Sequence, residues 1–428
     1  MRRFLSLLLC LALMMIPTLA MAESDVVLEM WHNQTGDEMS KVFEGAMDRF
    51  AEETPGYSVK MVSIANDNYQ DKFRVALAAD SIPDIFLHWS GGPMVSYIKA
   101  GALADLTPYM EKDGFKDQFM DAAIAQASYD GKIWAVPVMD ISIALFFYNK
   151  DVFEQCGVEV PTTLSELEAA CETFKANGIT PFALANKSMW PGSMYYMYLV
   201  DRYGGSEVFA NAANMTGVNT FEDEAFTWAG EKIQEWVNKD YFNVGFNGLD
   251  QDDGIPRQLL YNDMAAMYLM GSWELNSISN ENPEFYEKSL GIFPFPMVEG
   301  GKGDPNGCVG TVGGNFYSIS SKCEHPDEAF AAIAHLLDDQ ALEERIAMNN
   351  VPPLKGIEKR LTEEKTVQLM EFCNNASSVQ LWYDQYLEPV MAELHKKTCQ
   401  ELFAGTMSPA EVNTAMQAGI EEFWASQK

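Results

Sequence analysis

Short apolar strands that alternate with amphipathic helices are the feature that most constrains the fold of this chain. Residues 26–31 are predicted to form a buried strand, and further strands are predicted at 57–64 and 82–87. Helices are predicted between them, at 37–53 and 69–79. In the first helix, apolar side chains recur at helical spacing: Met39, Val42, Phe43, Met47 and Phe50. This strand–helix order predicts an α/β layer with a mostly parallel sheet.

The N-terminal segment has the layout of a secretory signal peptide. Arg2 and Arg3 precede an apolar run over 4–16, and small residues at 20–22 suit a cleavage site, so we expect residues 1–22 to be removed. A membrane anchor is the alternative, but the run is shorter than the roughly 20 apolar residues that span a bilayer. The rest of this chain of 428 residues is too long for one ordinary core and predicts two large domains.

The charge of the chain limits its partners. Its formal net charge is −33, with 62 acidic residues dispersed along the sequence. Such a surface repels nucleic acid and anionic lipid headgroups, so we expect no nucleic-acid partner. It favours solubility and neutral or cationic ligands.

Cysteine and histidine spacing argues against a metal centre. The sequence has seven cysteines, of which Cys10 lies in the predicted signal peptide. The remaining even number permits disulfides in an exported chain, and pairing of sequence neighbours is one of several connectivities. Those neighbours are Cys156/Cys171, Cys308/Cys323 and Cys373/Cys399. No CxxC motif occurs and the five histidines are scattered, so neither a zinc site nor a cofactor is expected.

Several short motifs follow one another in a characteristic order along most of the chain. They include Trp-His-Asn at 31–33 and Asp-Gly-Lys-Ile-Trp-Ala-Val-Pro at 130–137. The others lie at 77–86, 101–106, 148–153, 161–164, 178–181, 265–267 and 271–273. Together they resemble the extracellular sugar-binding proteins of ABC importers, the group that includes maltose-binding protein.

The resemblance implies a fold and a role. The fold is an α/β, two-lobed periplasmic-binding-protein fold of type II-like architecture, with the ligand cleft between lobes joined by crossover hinges. The role is capture of a mono- or oligosaccharide, without catalysis, for the transmembrane permease subunits of an ABC transporter. The protein is then expected to be a monomer in the periplasm or at the extracellular cell surface.

The same resemblance implies lobe boundaries. The first lobe takes 23–136 and 295–338, and the second takes 139–290 and 341–428. The hinges are expected in three segments: 136–140, 291–295 and 338–341.

Aromatic residues in strand-exit loops are candidates for stacking on a sugar. A sugar presents flat C–H faces, and a tryptophan ring is a large rigid plate that matches them. The candidates are Trp89, Trp190, Trp273 and Trp382. Packing in the core is the alternative role, above all for Trp89 and Trp190. Four other tryptophans are expected in the core or at interfaces: Trp31, Trp134, Trp228 and Trp236.

Polar residues near the strand ends are candidates for contacts with sugar hydroxyl groups, which are costly to bury unpaired. Hydrogen bonding within the loop, or capping of the hinge, is the alternative for the side chains, and a β-bulge is the alternative for the glycines, whose backbone amides would approach the ligand. The candidates are His32, Asn33, Gln34, Asp140, Gly313 and Gly314.

Two other classes of protein remain open. A secreted glycoside hydrolase would also have cleft tryptophans, but it needs a pair of carboxylates across the cleft, and no segment resembles a hydrolase motif. An importer component for a polyamine or a phosphorylated compound would need several carboxylates or basic side chains in the loops. The candidate loops offer mainly Asp140 and Lys187.

Overall fold

The computed structural model describes residues 26–427, which form two α/β lobes, each built around its own main sheet. The predicted signal peptide therefore lies outside the described residues. Within 26–427, no helix has the length and apolar character needed to cross a membrane.

The chain has twelve described strands and nineteen described α-helices. The strands are β1 (Val26–His32), β2 (Tyr57–Ser63), β3 (Ile85–His88), β4 (Ser128–Tyr129), β5 (Lys132–Ile133), β6 (Ile141–Asn149), β7 (Thr180–Phe182), β8 (Ala265–Gly271), β9 (Leu290–Phe293), β10 (Cys308–Val312), β11 (Phe316–Ile319) and β12 (Val379–Gln380). The helices of the first half are α1 (Asp37–Glu53), α2 (Asn66–Ala78), α3 (Gly92–Lys99), α4 (Thr107–Glu111), α5 (Asp121–Gln126), α6 (Lys150–Cys156), α7 (Leu164–Ala176), α8 (Trp190–Gly204) and α9 (Val208–Asn214). Those of the second half are α10 (Glu224–Asn238), α11 (Ile255–Tyr261), α12 (Glu274–Glu281), α13 (Pro283–Lys288), α14 (Pro326–His335), α15 (Asp339–Ala347), α16 (Glu364–Asn375), α17 (Tyr383–Tyr386), α18 (Pro389–Ala404) and α19 (Pro409–Ser426).

The first lobe contains the predicted parallel layer. Its sheet has the order β11-β3-β1-β2, in which β1 pairs in parallel with β2 and β3. The last strand, β11, pairs antiparallel with β3. Helix α1 packs its apolar stripe into this core, with Phe43 and Phe50 fully buried.

The second lobe is built around the long strand β6. Strand β8 pairs with β6 antiparallel and every residue of β8 is buried. Strand β9 pairs with residues 146–149 of β6 and β10 pairs with residues 141–143, while β7 and β12 extend the sheet. A capping box begins α7, because the Thr163 side chain accepts from the Glu166 N–H and the Glu166 side chain accepts from the Thr163 N–H.

Three crossovers join the lobes. The first runs from Val136, which pairs with Tyr317 of the first sheet, to Ile141 at the start of β6. The second is the short segment 313–315 between β10 and β11. The third follows α15, which packs on α1, and leads to α16, where Lys365 lies over the Tyr286 ring of α13 at 4.3 Å.

Two of the predicted hinge segments differ from these crossovers. Phe293, in the predicted hinge 291–295, pairs with Phe146 inside the second sheet. Gly310, which the prediction places in the first lobe, pairs with Ile143 of the second. Asp338 caps α15 within the first lobe, so the third crossing comes later than 338–341. Strand β10 has only five residues, and so short a segment does not reveal its partner without the tertiary fold.

The structure also bears on the expected cysteine pairing and on the tryptophans expected in the core. All six cysteines of the described chain are free thiols, so the pairing of sequence neighbours is not observed. Trp134, expected in the core or at an interface, lies just after β5 and is half-buried, with the Lys132 ammonium 5.5 Å from its ring centroid. Trp236 is fully buried, as expected of a core residue.

Candidate ligand-binding cleft

Loops at strand ends from both lobes form the candidate site. In the first lobe, the loops after β1, β2 and β3 leave the same edge of the sheet, because these strands are parallel. In the second lobe, β8 leads to Trp273, and β12 leads to Trp382. Crevices outside the carboxyl ends of strands are the usual ligand sites of α/β folds.

Three of the predicted tryptophans form one cluster in the second lobe. The ring centroids of Trp190 and Trp273 are 6.1 Å apart, and those of Trp273 and Trp382 are 6.0 Å apart. Trp190 and Trp273 are half-buried, whereas Trp382 is only 4% exposed. Trp273 is therefore the central plate, with one aromatic neighbour on each side.

Local structure explains how Trp273 is held. Trp273 occupies the N-cap position of α12, and its ring folds back over the end of β8. A Cβ on Gly271 would stand 2.1 Å from that ring, so only glycine allows this close approach. The next residue, Glu274, is 1% exposed and accepts a hydrogen bond from Arg257 at 3.2 Å. This buried ion pair anchors the helix on which Trp273 is carried.

The first lobe contributes Trp89 and a set of amide side chains. Trp89 is 8% exposed and meets Tyr69 edge-on, with centroids 5.7 Å apart. The Asn33 amide donates to Asn66 Oδ1 at 3.0 Å, and its oxygen accepts from Gln34 and from Asn315 at the second crossover. Asn33 and Gln34 are half-buried and bonded within this loop network.

His32 is less available than the prediction required. It is 2% exposed, its ring lies 5.7 Å from that of Phe43, and its Nδ1 accepts from the backbone N–H of Gln34 at 3.3 Å. Burial lowers the pKa of His32 to about 4. The structure thus gives His32 a neutral role within the first lobe, and ligand contact by its side chain stays a prediction.

Asp140, Gly313 and Gly314 lie in the crossovers and make their contacts there. Asp140 Oδ1 accepts a hydrogen bond from Arg345 at 2.7 Å, and burial raises the pKa of Asp140 although the Arg345 charge opposes it. Gly313 and Gly314 have φ of +126° and +56°, and a Cβ on Gly314 would stand 2.6 Å from the Asp140 carbonyl oxygen. Their presence is explained by close packing of two crossovers, and ligand contact by these three residues stays a prediction.

The lobes touch on both sides of the cleft. On one side, Ser188 Oγ and Trp190 Nε1 of the second lobe donate to the Asp67 carboxylate of the first. On the other side, Lys99 and Glu388 form an ion pair at 2.9 Å. These contacts between the lobes describe a closed arrangement.

Several polar groups at the cleft were not predicted from the sequence. Ser90 Oγ and Gln385 Oε1 are buried and have no hydrogen-bond partner among the described residues. The backbones of the two segments approach closely, because a Cβ on Gly91 would stand 2.2 Å from the Gln385 carbonyl oxygen. Ser90 directly follows Trp89, a predicted site residue, so the sequence contains a signal by which Ser90 could be found. Nothing in the local sequence distinguishes Gln385.

Carboxylates gather beside Trp190. Oxygen atoms of Asp67, Asp250 and Asp252 lie within 4.8 Å of one another, which makes this the one set of side chains in 26–427 with the spacing of a cation site. Lys187 donates to Asp250 at 3.0 Å and lowers the pKa of that carboxyl. The pKa of Asp252 is raised, first by partial burial and then by the charges of the other two carboxylates.

The sequence of this chain matches a known protein family and a sugar-binding relative. The sequence profile described as Bacterial extracellular solute-binding protein matches residues 34–343. The Multiple sugar-binding protein of Streptococcus mutans is 26% identical over 343 residues, which cover 78% of this chain and 77% of that protein.

Solved structures match both lobes. One, from a study of xylan utilization by the thermophilic bacterium Caldanaerobius polysaccharolyticus, is 31% identical with a TM-score of 0.85, covering 92% of this chain and 100% of that chain. A chitin oligosaccharide binding protein is 26% identical, also with a TM-score of 0.85, covering 93% and 99% of the two chains. These matches confirm the two-lobed α/β fold.

Proposed function

This chain belongs to the family of bacterial extracellular solute-binding proteins, and we propose that it captures a carbohydrate and presents it to the permease subunits of an ABC importer. The relatives support this class of ligand, since one is named a multiple sugar-binding protein and another a chitin oligosaccharide binding protein. The proposal assigns no catalytic residue, because the role of the site is binding and release of an unchanged solute.

The observation that supports the proposal is the tryptophan cluster of the second lobe. Trp190, Trp273 and Trp382 follow one another at about 6 Å between ring centroids. Trp190 and Trp273 are partly exposed, and Trp382 extends the aromatic surface once it is uncovered, so the three rings together exceed what one sugar ring covers. We therefore propose an oligosaccharide, with its apolar faces on these plates and its hydroxyl groups toward polar groups of both lobes.

The polar partners proposed for the hydroxyl groups come from the two walls. Ser90 and Gln385 each have a buried oxygen without a protein partner in the described chain, and such an atom gains most from a ligand hydrogen bond. Asn33 and Gln34 can exchange their mutual hydrogen bond for bonds to a ligand. We also propose that Trp89 is uncovered for stacking when the lobes separate.

A cationic solute is the second candidate. The three carboxylates beside Trp190 favour it, because a polyamine binds to carboxylates and to aromatic faces. Their charge is only partly balanced, by Lys187. The two candidates differ in salt dependence, since screening weakens the binding of a cation and leaves that of a neutral sugar nearly unchanged.

The test is a thermal-shift screen of the mature protein with a panel of oligosaccharides and with spermidine. A ligand that binds only the folded protein raises its Tm. We expect a shift with at least one oligosaccharide and recovery of that sugar intact after denaturation. A shift with spermidine alone, abolished by salt, would support the cationic candidate, and recovery of a cleaved sugar would reject the binding role.

We further propose export, with residues 1–22 as the signal peptide, to the periplasm or the extracellular surface. The family description supports an extracellular location. The protein is proposed to act as a monomer whose lobes close around the solute by movement at the three crossovers. Mass spectrometry of the secreted protein, expected to begin at Glu23, tests the cleavage site.

A further inference from the structure

A buried ion pair lies where the chain passes between the lobes. Arg345, in the last turn of α15, is 0% exposed and donates through Nη2 to Asp140 Oδ1 at 2.7 Å. Asp140 belongs to the first crossover, and Arg345 immediately precedes the third. Separating two such charges in the protein interior leaves each uncompensated, which is strongly unfavourable.

The backbone around this pair ties the first and third crossovers together. The N–H of Ile141 donates to the carbonyl of Val351 at 2.9 Å. The N–H of Asn350 donates to the carbonyl of Arg345 at 3.0 Å. The ion pair therefore lies beside a backbone contact between the same two segments.

The second crossover reaches the same point. A Cβ on Gly314 would stand 2.6 Å from the carbonyl oxygen of Asp140, and the N–H of Met139 donates to the carbonyl of Asn315 at 3.2 Å. Tyr317, which follows this crossover, is fully buried and pairs with Val136 through two backbone hydrogen bonds at 2.8 and 3.0 Å. All three crossovers thus converge on Asp140.

We propose that Asp140 and Arg345, which we call the hinge clasp, hold the three crossovers in one arrangement and thereby set the equilibrium between open and closed lobes. Arg345 is then a positioning residue that acts through Asp140 and needs no contact with the solute. A lobe rotation that draws the crossovers apart has to separate the two charges. The idea that the lobes close on a solute rests on the proposed function, but the clasp itself can be tested without any solute.

The test compares Arg345→Met with Arg49→Met by hydrogen exchange of the unliganded protein. Arg49 is the matched control, because it binds the other end of the same helix, through Asp338 at 2.7 Å, inside the first lobe. In Arg345→Met, the crossover amides of Met139 and Ile141 should exchange on the order of tenfold faster, while amides in the two sheets keep their protection. In Arg49→Met the crossover amides should be unchanged.

Three further variants keep the test decisive. Arg345→Lys retains the charge and should restore part of the protection. If Arg345→Met does not fold, Asp140→Asn breaks the same pair with a side chain of equal size. The double variant that combines Arg345→Met with Asp140→Asn should accelerate crossover exchange by less than the two single effects added together, because both substitutions remove the same ion pair.

Three outcomes would overturn the proposal. Faster exchange spread evenly over both sheets would mean that the pair only stabilises the fold. Unchanged exchange at the crossovers would mean that it does not hold them. The same acceleration at the crossover amides in Arg49→Met would mean that loss of any ion pair at α15 loosens the crossovers. Because no solute is added, failure to bind sugar rejects the proposed function without altering these results.

Discussion

Replacement of Trp273 by alanine is the sharpest test of the cleft. The side chain is half-buried and loses two ring contacts, one with Trp190 at 6.1 Å and one with Trp382 at 6.0 Å. Each aromatic pair contributes about 0.5–1.5 kcal/mol, so the free energy of unfolding should fall by roughly 1–3 kcal/mol. Loss of a central tryptophan anchor costs a ligand about 2 kcal/mol or more, which corresponds to a roughly 30-fold increase in Kd.

The matched control is Trp228→Ala. Trp228 is also a half-buried tryptophan of the second lobe, and its ring stacks on Tyr203 with centroids 4.4 Å apart, outside the cleft. Its loss should lower stability by about 1 kcal/mol and leave Kd unchanged. Calorimetric titration gives Kd and urea unfolding gives stability, each measured for both variants. Equal losses of affinity in the two variants, or none for Trp273→Ala at full folding, would refute the assignment of Trp273 to the site.

Four other substitutions follow from the structure. Gly271→Ala should weaken sugar binding as Trp273→Ala does, because the new Cβ would stand 2.1 Å from the Trp273 ring and displace it; unchanged calorimetric Kd would contradict this. Trp236→Ala should lower stability in urea by about 3–5 kcal/mol because Trp236 is fully buried, whereas Trp134→Ala should cost much less; equal losses would place Trp134 in the core after all. Burial lowers the pKa of His88 to about 4, so the unfolded chain binds a proton there that the folded chain does not. Stability should therefore fall by about 1.4 kcal/mol per pH unit from this group as pH drops from 6.5 toward 4, and His88→Asn should reduce the measured slope by that amount.

The sequence predicts the first lobe better than the second. Strands β1, β2 and β3 have apolar runs separated by amphipathic helices, so local periodicity is enough to identify a parallel sheet. Strand β10 gives no such signal, because its five residues include Gly310. That glycine is explained only by the tertiary fold, where a Cβ would stand 2.2 Å from the carbonyl oxygen of Ser142. The predicted hinge 291–295 differs from the observed second crossover for the same reason, because the crossing point depends on which sheet each short strand joins.

For the site, the sequence indicates which residue types matter but not how they meet. Three of the four predicted tryptophans come together, although they lie at positions 190, 273 and 382. A loop tryptophan after a strand is a local signal, whereas a hydrogen bond such as that between Ser188 and Asp67 exists only because two lobes approach. Asp140 is another example of a contact that the sequence does not indicate. Its carboxylate pairs with Arg345, which lies 205 positions away along the chain.

The distribution of contacts limits what a solute can do to the lobes. Contacts across the cleft already exist between protein groups, as in the Lys99–Glu388 ion pair and the bond from Ser188 to Asp67. An ion pair such as Lys99–Glu388 contributes little near the surface, about 0–1 kcal/mol, and a single hydrogen bond contributes about as little, so these contacts bias closure without enforcing it. A solute shifts the equilibrium only through contacts that it makes in the closed state alone. Stacking on Trp273 is available in either state, because that plate belongs wholly to the second lobe. Closure therefore has to be driven by groups that meet across the cleft. Loss of the polar groups of Ser90 and Gln385 should uncouple binding from closure, whereas loss of Trp273 should weaken binding in both states.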